Sequence, residues 1–227
     1  MILYMAVGFL LGITIPLIAS RFGKVMPADP GTLIFNFLHK PRFPKSPSSH
    51  RCRRLKLKWA KMVFYSFLWG ALMAFAAFLS YHIIGASHVS YALVFLYLVS
   101  LCIAVDQQFY MIPDFFTIPL LLLGFVAAYY NHFIPIGGSI AGAIYAYILT
   151  TFCAFIMNFY KNAIFGSGDV KMLMGIGAWL GINGVGYTVL LGFFFFTFWA
   201  LIKRKKAGAY GPAMGMASIF VLFMMYI

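Results

Sequence analysis

Solidly apolar runs recur from one end of this chain to the other, Tyr91 to Val105 and Gly184 to Ile202 among them. Several approach the 20 or so residues that cross a bilayer core of about 30 Å as a helix. A membrane barrel would instead show ten-residue segments of alternating polarity. The composition agrees: 63% of the residues are hydrophobic and 9% charged, against about 25% charged in a soluble domain. Such a chain cannot clothe a water-facing surface. The expected fold is all-α, a polytopic membrane bundle of about eight transmembrane helices. The spans run at roughly 2–19, 62–82, 89–105, 115–130, 136–158, 171–182, 184–202 and 212–227.

The charges orient the bundle. Seventeen Lys and Arg face four acids, for a net charge of +13. In a soluble protein that excess would suggest nucleic acid; here its placement explains it better. Eleven of the seventeen lie between Arg21 and Lys61. Lys161 and Lys171 flank a second break, and Lys203, Arg204, Lys205 and Lys206 fill a third. The breaks around Tyr81 to Ser90, Tyr130 to Gly138 and Gly181 to Gly186 carry no Lys or Arg. Basic loops therefore alternate with uncharged ones, and the basic ones belong on the cytoplasmic side, next to anionic lipid. Eight spans then place both termini outside. With no basic residue before Arg21 and no evident small-residue cleavage site, the first apolar run reads as a retained span.

The chain divides into 1–61, a first span plus a basic cytoplasmic loop, and 62–227, the membrane core. The loop holds Pro27, Pro30, Pro41, Pro44 and Pro47, and its second half, Arg51 to Lys61, reads as a basic interfacial helix. Cys52, Cys102 and Cys153 are odd in number and scattered, which argues against a disulfide framework. Met and Phe, at 13 and 26, read as lipid-facing or packing residues. Trp59, Trp69, Trp179 and Trp199 lie near span ends or within spans, where aromatic-belt anchoring accounts for some of them. His82, His88 and His132 fall near the uncharged loops and read as interfacial residues, not ligands.

The acids carry the functional reading. There is no Glu; the acids are Asp29, Asp106, Asp114 and Asp169. Asp29 reads as a turn residue in the cytoplasmic loop. The other three sit at span ends on one side of the bilayer, where an acid is costly and usually functional. Asp106 closes the third span, where the helix dipole disfavours an anion. Asp114, after Pro113, reads as a helix N-cap or as support beside a site. Asp169 lies in Gly166-Ser-Gly-Asp-Val-Lys171, where glycines let the backbone bend and approach a ligand closely. It reads equally as a functional acid or as a cap. Lys171 could act on Asp169 or reach lipid phosphate. Two carboxyls close together can share one proton. One then takes a proton from water while the other polarises a peptide carbonyl.

Asp106 to Asp114 with Thr117 and Pro119-Leu120 resembles the D-x6-P-D-x2-T-x-P-L signature of type IV prepilin leader peptidases. Gly166 to Lys171 is similar to that family's G-x-G-D-x-K. Ala178-Trp179-Leu180-Gly181 and Tyr210-Gly211-Pro212 with Gly215 resemble two further elements. The likeness covers roughly residues 95–220. It implies an inner-membrane aspartic endopeptidase of bacteria. Such an enzyme removes the short basic leader of type IV prepilins or type II secretion pseudopilins, after a glycine, on the cytoplasmic side. Asp106 and Asp169 carry over as the catalytic pair, with Gly166, Gly168, Asp114 and Lys171 as supporting residues.

The first third departs from the family. Many members carry two C-x-x-C pairs there, fit for zinc; this loop has Cys52, with His39 and His50 the nearest other ligands, and no metal is expected. Many members also methylate the new N-terminus with S-adenosylmethionine, through that same region, so the second activity is in doubt here. The peptidase needs no cofactor. Expected partners are prepilin or pseudopilin substrates and anionic lipids, which would neutralise the basic loop, and no nucleic acid. Two other readings use the same carboxylates or motifs: an ion-coupled carrier, which would want midplane acids and a repeat, and an inactive assembly subunit.

Overall fold

The computed structural model describes residues 1–22, 49–161, 166–203 and 209–226, and side chains within 1–20, 61–156, 166–202 and 209–226. Asp29, His39 and the side chains of His50, Cys52 and Trp59 lie outside the described residues, so the readings made of them stand as expectations. Among the described residues there are seven helices and no strand. They are α1 (Ile2–Phe22), α2 (Ser49–Ile83), α3 (Val89–Phe109), α4 (Asp114–Tyr129), α5 (Ile136–Lys161), α6 (Ser167–Lys203) and α7 (Gly211–Met224). Five of them are long and apolar enough to cross a membrane, and α4 and α7 are shorter apolar helices. The chain is thus an all-helical, multi-pass membrane protein.

The bounds match the sequence reading closely for the first five spans. The segment Arg51 to Lys61 is helical, as expected, and runs unbroken into the second span as α2. The sixth and seventh spans meet at a sharp break with almost no loop between them. The element α6, Ser167 to Lys203, is two helical segments that abut at a kink, and the break falls at Gly181, with φ 69° and ψ −172°. That positive φ is open to glycine at little cost. The chain doubles back there, because Val185 comes against Gly177; in a straight helix residues eight apart stand about 12 Å from each other. The sixth span also begins earlier than the sequence suggested, at Ser167, which brings Asp169 inside the helix.

Small residues set the helices close. A Cβ on Gly142 of α5 would collide with the carbonyl oxygen of Gly177 and lie 2.7 Å from Cα of Gly181. A Cβ on Gly124 of α4 would lie 2.8 Å from Cβ of Ala178. On Gly12 of α1 it would meet Gly70 Cα at 2.6 Å. Apolar burial drives helices together weakly within lipid, so close backbone approach and dispersion carry the packing. The core lies along α3, the first half of α6 and α7, with Phe95, Leu96, Met172, Ile176, Trp179 and Met214 almost fully buried. Trp179 is the exception to the belt reading. It is 1% exposed, packs on Phe95 and Phe133, and donates its Nε1–H to the carbonyl of Leu120 over 2.7 Å. A buried indole needs such a partner, and α4 supplies it.

Candidate active site

Three chain segments meet at one end of the bundle. The first is the last turn of α3, which carries Asp106, 4% exposed. That helix stops because Tyr110 turns left-handed, φ 56° and ψ 31°, while its N–H caps the carbonyl of Asp106 at 2.9 Å. Met111 and Ile112 then lead to Pro113, extended at φ −74° and ψ 144°; a residue before proline is steered away from helix. The second segment is the turn into α6. Asp169 N–H bonds to the carbonyl of Gly166 at 3.1 Å, closing the first turn. The third is the start of α7 at Tyr210 and Gly211.

Glycines make the meeting possible. A Cβ on Gly168 would lie 2.7 Å from the carbonyl oxygen and 2.9 Å from Cβ of Ile112. A Cβ on Gly211 would lie 2.5 Å from Oδ2 of Asp106 and 2.9 Å from Cδ1 of Ile112. Ile112, 8% exposed, is therefore the pad on which the Gly166–Asp169 turn and the α7 start both rest. Gly166 faces Asp169 itself, its notional Cβ 3.0 Å from Oδ2.

Asp106 and Asp169, far apart in sequence, come within electrostatic reach of one another. Their surroundings differ. Asp106 is buried, and its Oδ2 accepts the backbone N–H of Gly211 over 3.0 Å at the N-terminus of α7. Asp169 is half-buried in the first turn of α6, where the dipole favours an anion. Its carboxylate has no hydrogen-bond partner among the described residues. It stands inside the helix, three residues after Gly166, rather than at the cap.

Asp114 corrects the cap reading. The position before α4 is Pro113, with no side-chain cap bond, and Asp114 is the first helical residue. Its two oxygens accept from Lys171 Nζ at 2.7 and 2.6 Å, which settles the partner that the sequence left open for Lys171. The pair ties the start of α4 to the start of α6, with side chains 54% and 43% exposed.

Two residues were not singled out from sequence. Gly211 belonged to a recognised element, yet only the structure gives it a contact with Asp106. Tyr210 is half-buried beside the site. Burial first, then the charge of Asp169, push its hydroxyl up to about 12, so it stays protonated. Among the described residues, no three His, Cys, Asp or Glu side chains are grouped to hold a metal ion.

The fold is a helical membrane bundle that brings two carboxylates to one end, Asp106 in the last turn of α3 and Asp169 in the glycine-bounded first turn of α6. Residues 92–201 match the model of the type IV leader peptidase family. It is similar to the prepilin leader peptidase/N-methyltransferase of Neisseria gonorrhoeae, 31% identical over 52% of this chain and 42% of that protein. The protein of the same name from Klebsiella pneumoniae is 32% identical over 44% of each chain, and that of Dichelobacter nodosus 32% over 48% of this chain and 38% of its own. The chain spans less than half the length of these relatives. No solved structure matches it.

Proposed function

We propose that this protein is a membrane aspartic endopeptidase in which Asp106 and Asp169 hydrolyse one peptide bond of a prepilin or pseudopilin. The observation that carries the reading is the convergence of these two acids, from different helices, at one end of a bundle whose described residues hold a single further acid, Asp114. Two carboxyls in electrostatic contact share a proton and titrate as a unit. In the proposed step the ionised member removes a proton from water as that water attacks the scissile carbonyl. The protonated member donates to the carbonyl oxygen, and the tetrahedral intermediate collapses with a proton passed to the leaving amine. Gly166 and Gly168 shape the turn that presents Asp169, and the Asp114–Lys171 pair holds the two helix starts in register.

The finer terms belong to the same proposal. The substrate's short basic leader is removed after a glycine, at the cytoplasmic face of a bacterial inner membrane, where the charge pattern places the basic loops. The relatives' names add an N-methyltransferase, whose methyl donor would be S-adenosylmethionine. The region the resemblance assigns to that activity lies mostly outside the described residues, and the dyad makes no use of such a donor. The proposal for this chain is therefore the peptidase.

The test is cleavage of a prepilin peptide with glycine before the cut by wild type, Asp106→Asn and Asp169→Asn, each purified and checked for helix content. Asn keeps size and much of the hydrogen bonding but cannot share a proton. Wild-type cleavage with essentially complete loss in both variants supports the dyad. Near-wild-type turnover in either variant removes that residue from the chemistry.

A further inference from the structure

We propose that the bilayer is thinned along α4, so that lipid headgroups and their water are drawn down to the level of the aspartate pair. The inference rests on helix lengths and on where polar side chains leave the apolar surface, and it holds whatever the dyad cleaves.

The exposed apolar residues of α4 begin at Phe115 and reach Val126. On the dyad side they stop against the exposed Asp114–Lys171 pair. On the other side they stop at the exposed rings of Tyr129 and Tyr130. Charged groups and tyrosines mark the two polar boundaries of a membrane protein. The whole of α4 is 16 residues, about 24 Å at 1.5 Å per residue, against a hydrocarbon core of about 30 Å. The neighbouring helix α5 differs. Its exposed apolar residues run from Ile136 through Ile140, Ile144, Ile148 and Phe152 to Ile156, a height of about 30 Å. The surface thus drops by roughly 6 Å between two adjacent helices.

The deficit is not a local accident of α4. The helix α7 has 14 residues, about 21 Å. Its far end is pinned to the loop after α4, because Tyr226 Oη donates to the carbonyl of His132 at 3.4 Å. Its near end rests on Asp106. Two short helices therefore share one far level and both start at the site. Tilting would shorten their reach further, so the lipid must adapt, at a modest cost per ångström. A cavity of about 540 Å³ with mainly apolar walls lies at the step, lined by Ile118 and Leu121 of α4, Tyr147 of α5, and Val170, Lys171 and Met174 of α6. The fall in lipid height and this opening coincide beside the turn that carries Asp169.

The experiment reads the thermal unfolding midpoint of the full chain in vesicles of phosphatidylcholine with monounsaturated chains of 14, 18 and 22 carbons. The midpoint is expected to be highest at 14 carbons and to fall steadily to 22. An optimum at 18 or 22 carbons overturns the proposal. The double variant Asp114→Leu with Lys171→Leu removes the polar boundary and lengthens the apolar face of α4, and its optimum should move to 18 carbons. An ion pair that merely braces two helices would lower the midpoint in all three lipids alike, and an unmoved optimum overturns the assigned boundary. Because unfolding and not cleavage is read, an inactive preparation leaves the test intact.

Discussion

Gly211 donates its backbone N–H to Oδ2 of Asp106 over 3.0 Å, joining the start of α7 to the end of α3. A methyl group at position 211 would sit 2.5 Å from that same oxygen, closer than any real Cβ contact. Gly211→Ala must therefore displace the carboxylate or the helix start. The expected result is a fall in turnover of about a hundredfold, the order found when a reacting group is misplaced by an ångström, with KM changed little. Gly215→Ala is the control on the same helix. Its Cβ would meet Ile103 Cγ1 at 2.5 Å, away from the carboxylate. It should lower the unfolding midpoint while turnover per folded molecule stays within a few-fold of wild type. Equal losses in both variants would make Gly211 a packing residue only.

Lys171 and Asp114 are expected to matter far less. Both are about half exposed, and such pairs contribute at most about 1 kcal/mol, or roughly fivefold in rate. Lys171→Met and Asp114→Asn should each lower cleavage by no more than that, and the double variant should be no worse than the singles, since they share one interaction. The reversed pair, Asp114→Lys with Lys171→Asp, should recover part of the loss. A hundredfold loss in either single variant would place that side chain in the chemistry itself.

Gly142→Leu tests the packing that holds the site's scaffold. The added side chain meets the backbone of Gly177 and Gly181, which cannot rotate away as a side chain can. Separating α5 from α6 should destabilise by about 1–3 kcal/mol or more, as overpacking does. Gly137→Leu, on the same helix but with open space at its Cβ, should leave the midpoint unchanged. Similar midpoints for the two variants would contradict the close contact.

These contacts mark where the sequence stopped informing. Apolar run length sufficed to place most helices, and the scarcity of acids drew attention to Asp106, Asp114 and Asp169 on one side of the bilayer, because both follow from local chemistry and the cost of charge in lipid; the choice of Asp106 and Asp169 as a pair came from the family resemblance. The sequence offers Lys171 either Asp169 or lipid phosphate, and the structure gives it Asp114, 57 residues away, which only packing brings to Nζ. Which of the four tryptophans anchor at the interface was open in the sequence, and burial at 1% exposure takes Trp179 out of that set. The sixth and seventh spans are two helical segments, as their separate apolar runs imply, and the reversal between them falls at Gly181, where a positive φ breaks the helix.

The far face of the bundle carries a proton-sensitive contact. His88 Nδ1 and His132 Nδ1 lie 2.9 Å apart, joining the loop before α3 to the loop after α4, and Tyr91 stacks on His132 with ring centres 3.7 Å apart. Loss of hydration first, and the neighbouring His88 second, hold His132 below its ordinary 6.5. Above that pH the imidazole is neutral in both folded and unfolded chains, and the contact contributes in full. As pH falls below about 6.5 the unfolded chain takes up a proton that the folded one resists, so stability drops until the folded group itself titrates. The unfolding midpoint of wild type should therefore decline between pH 7.5 and 5 more steeply than that of His132→Gln. Other groups titrate in the same range, and the difference between the two curves isolates the imidazole pair. Parallel curves, or a wild type that gains stability on acidification relative to the variant, would show that the two loops are held by something other than this contact.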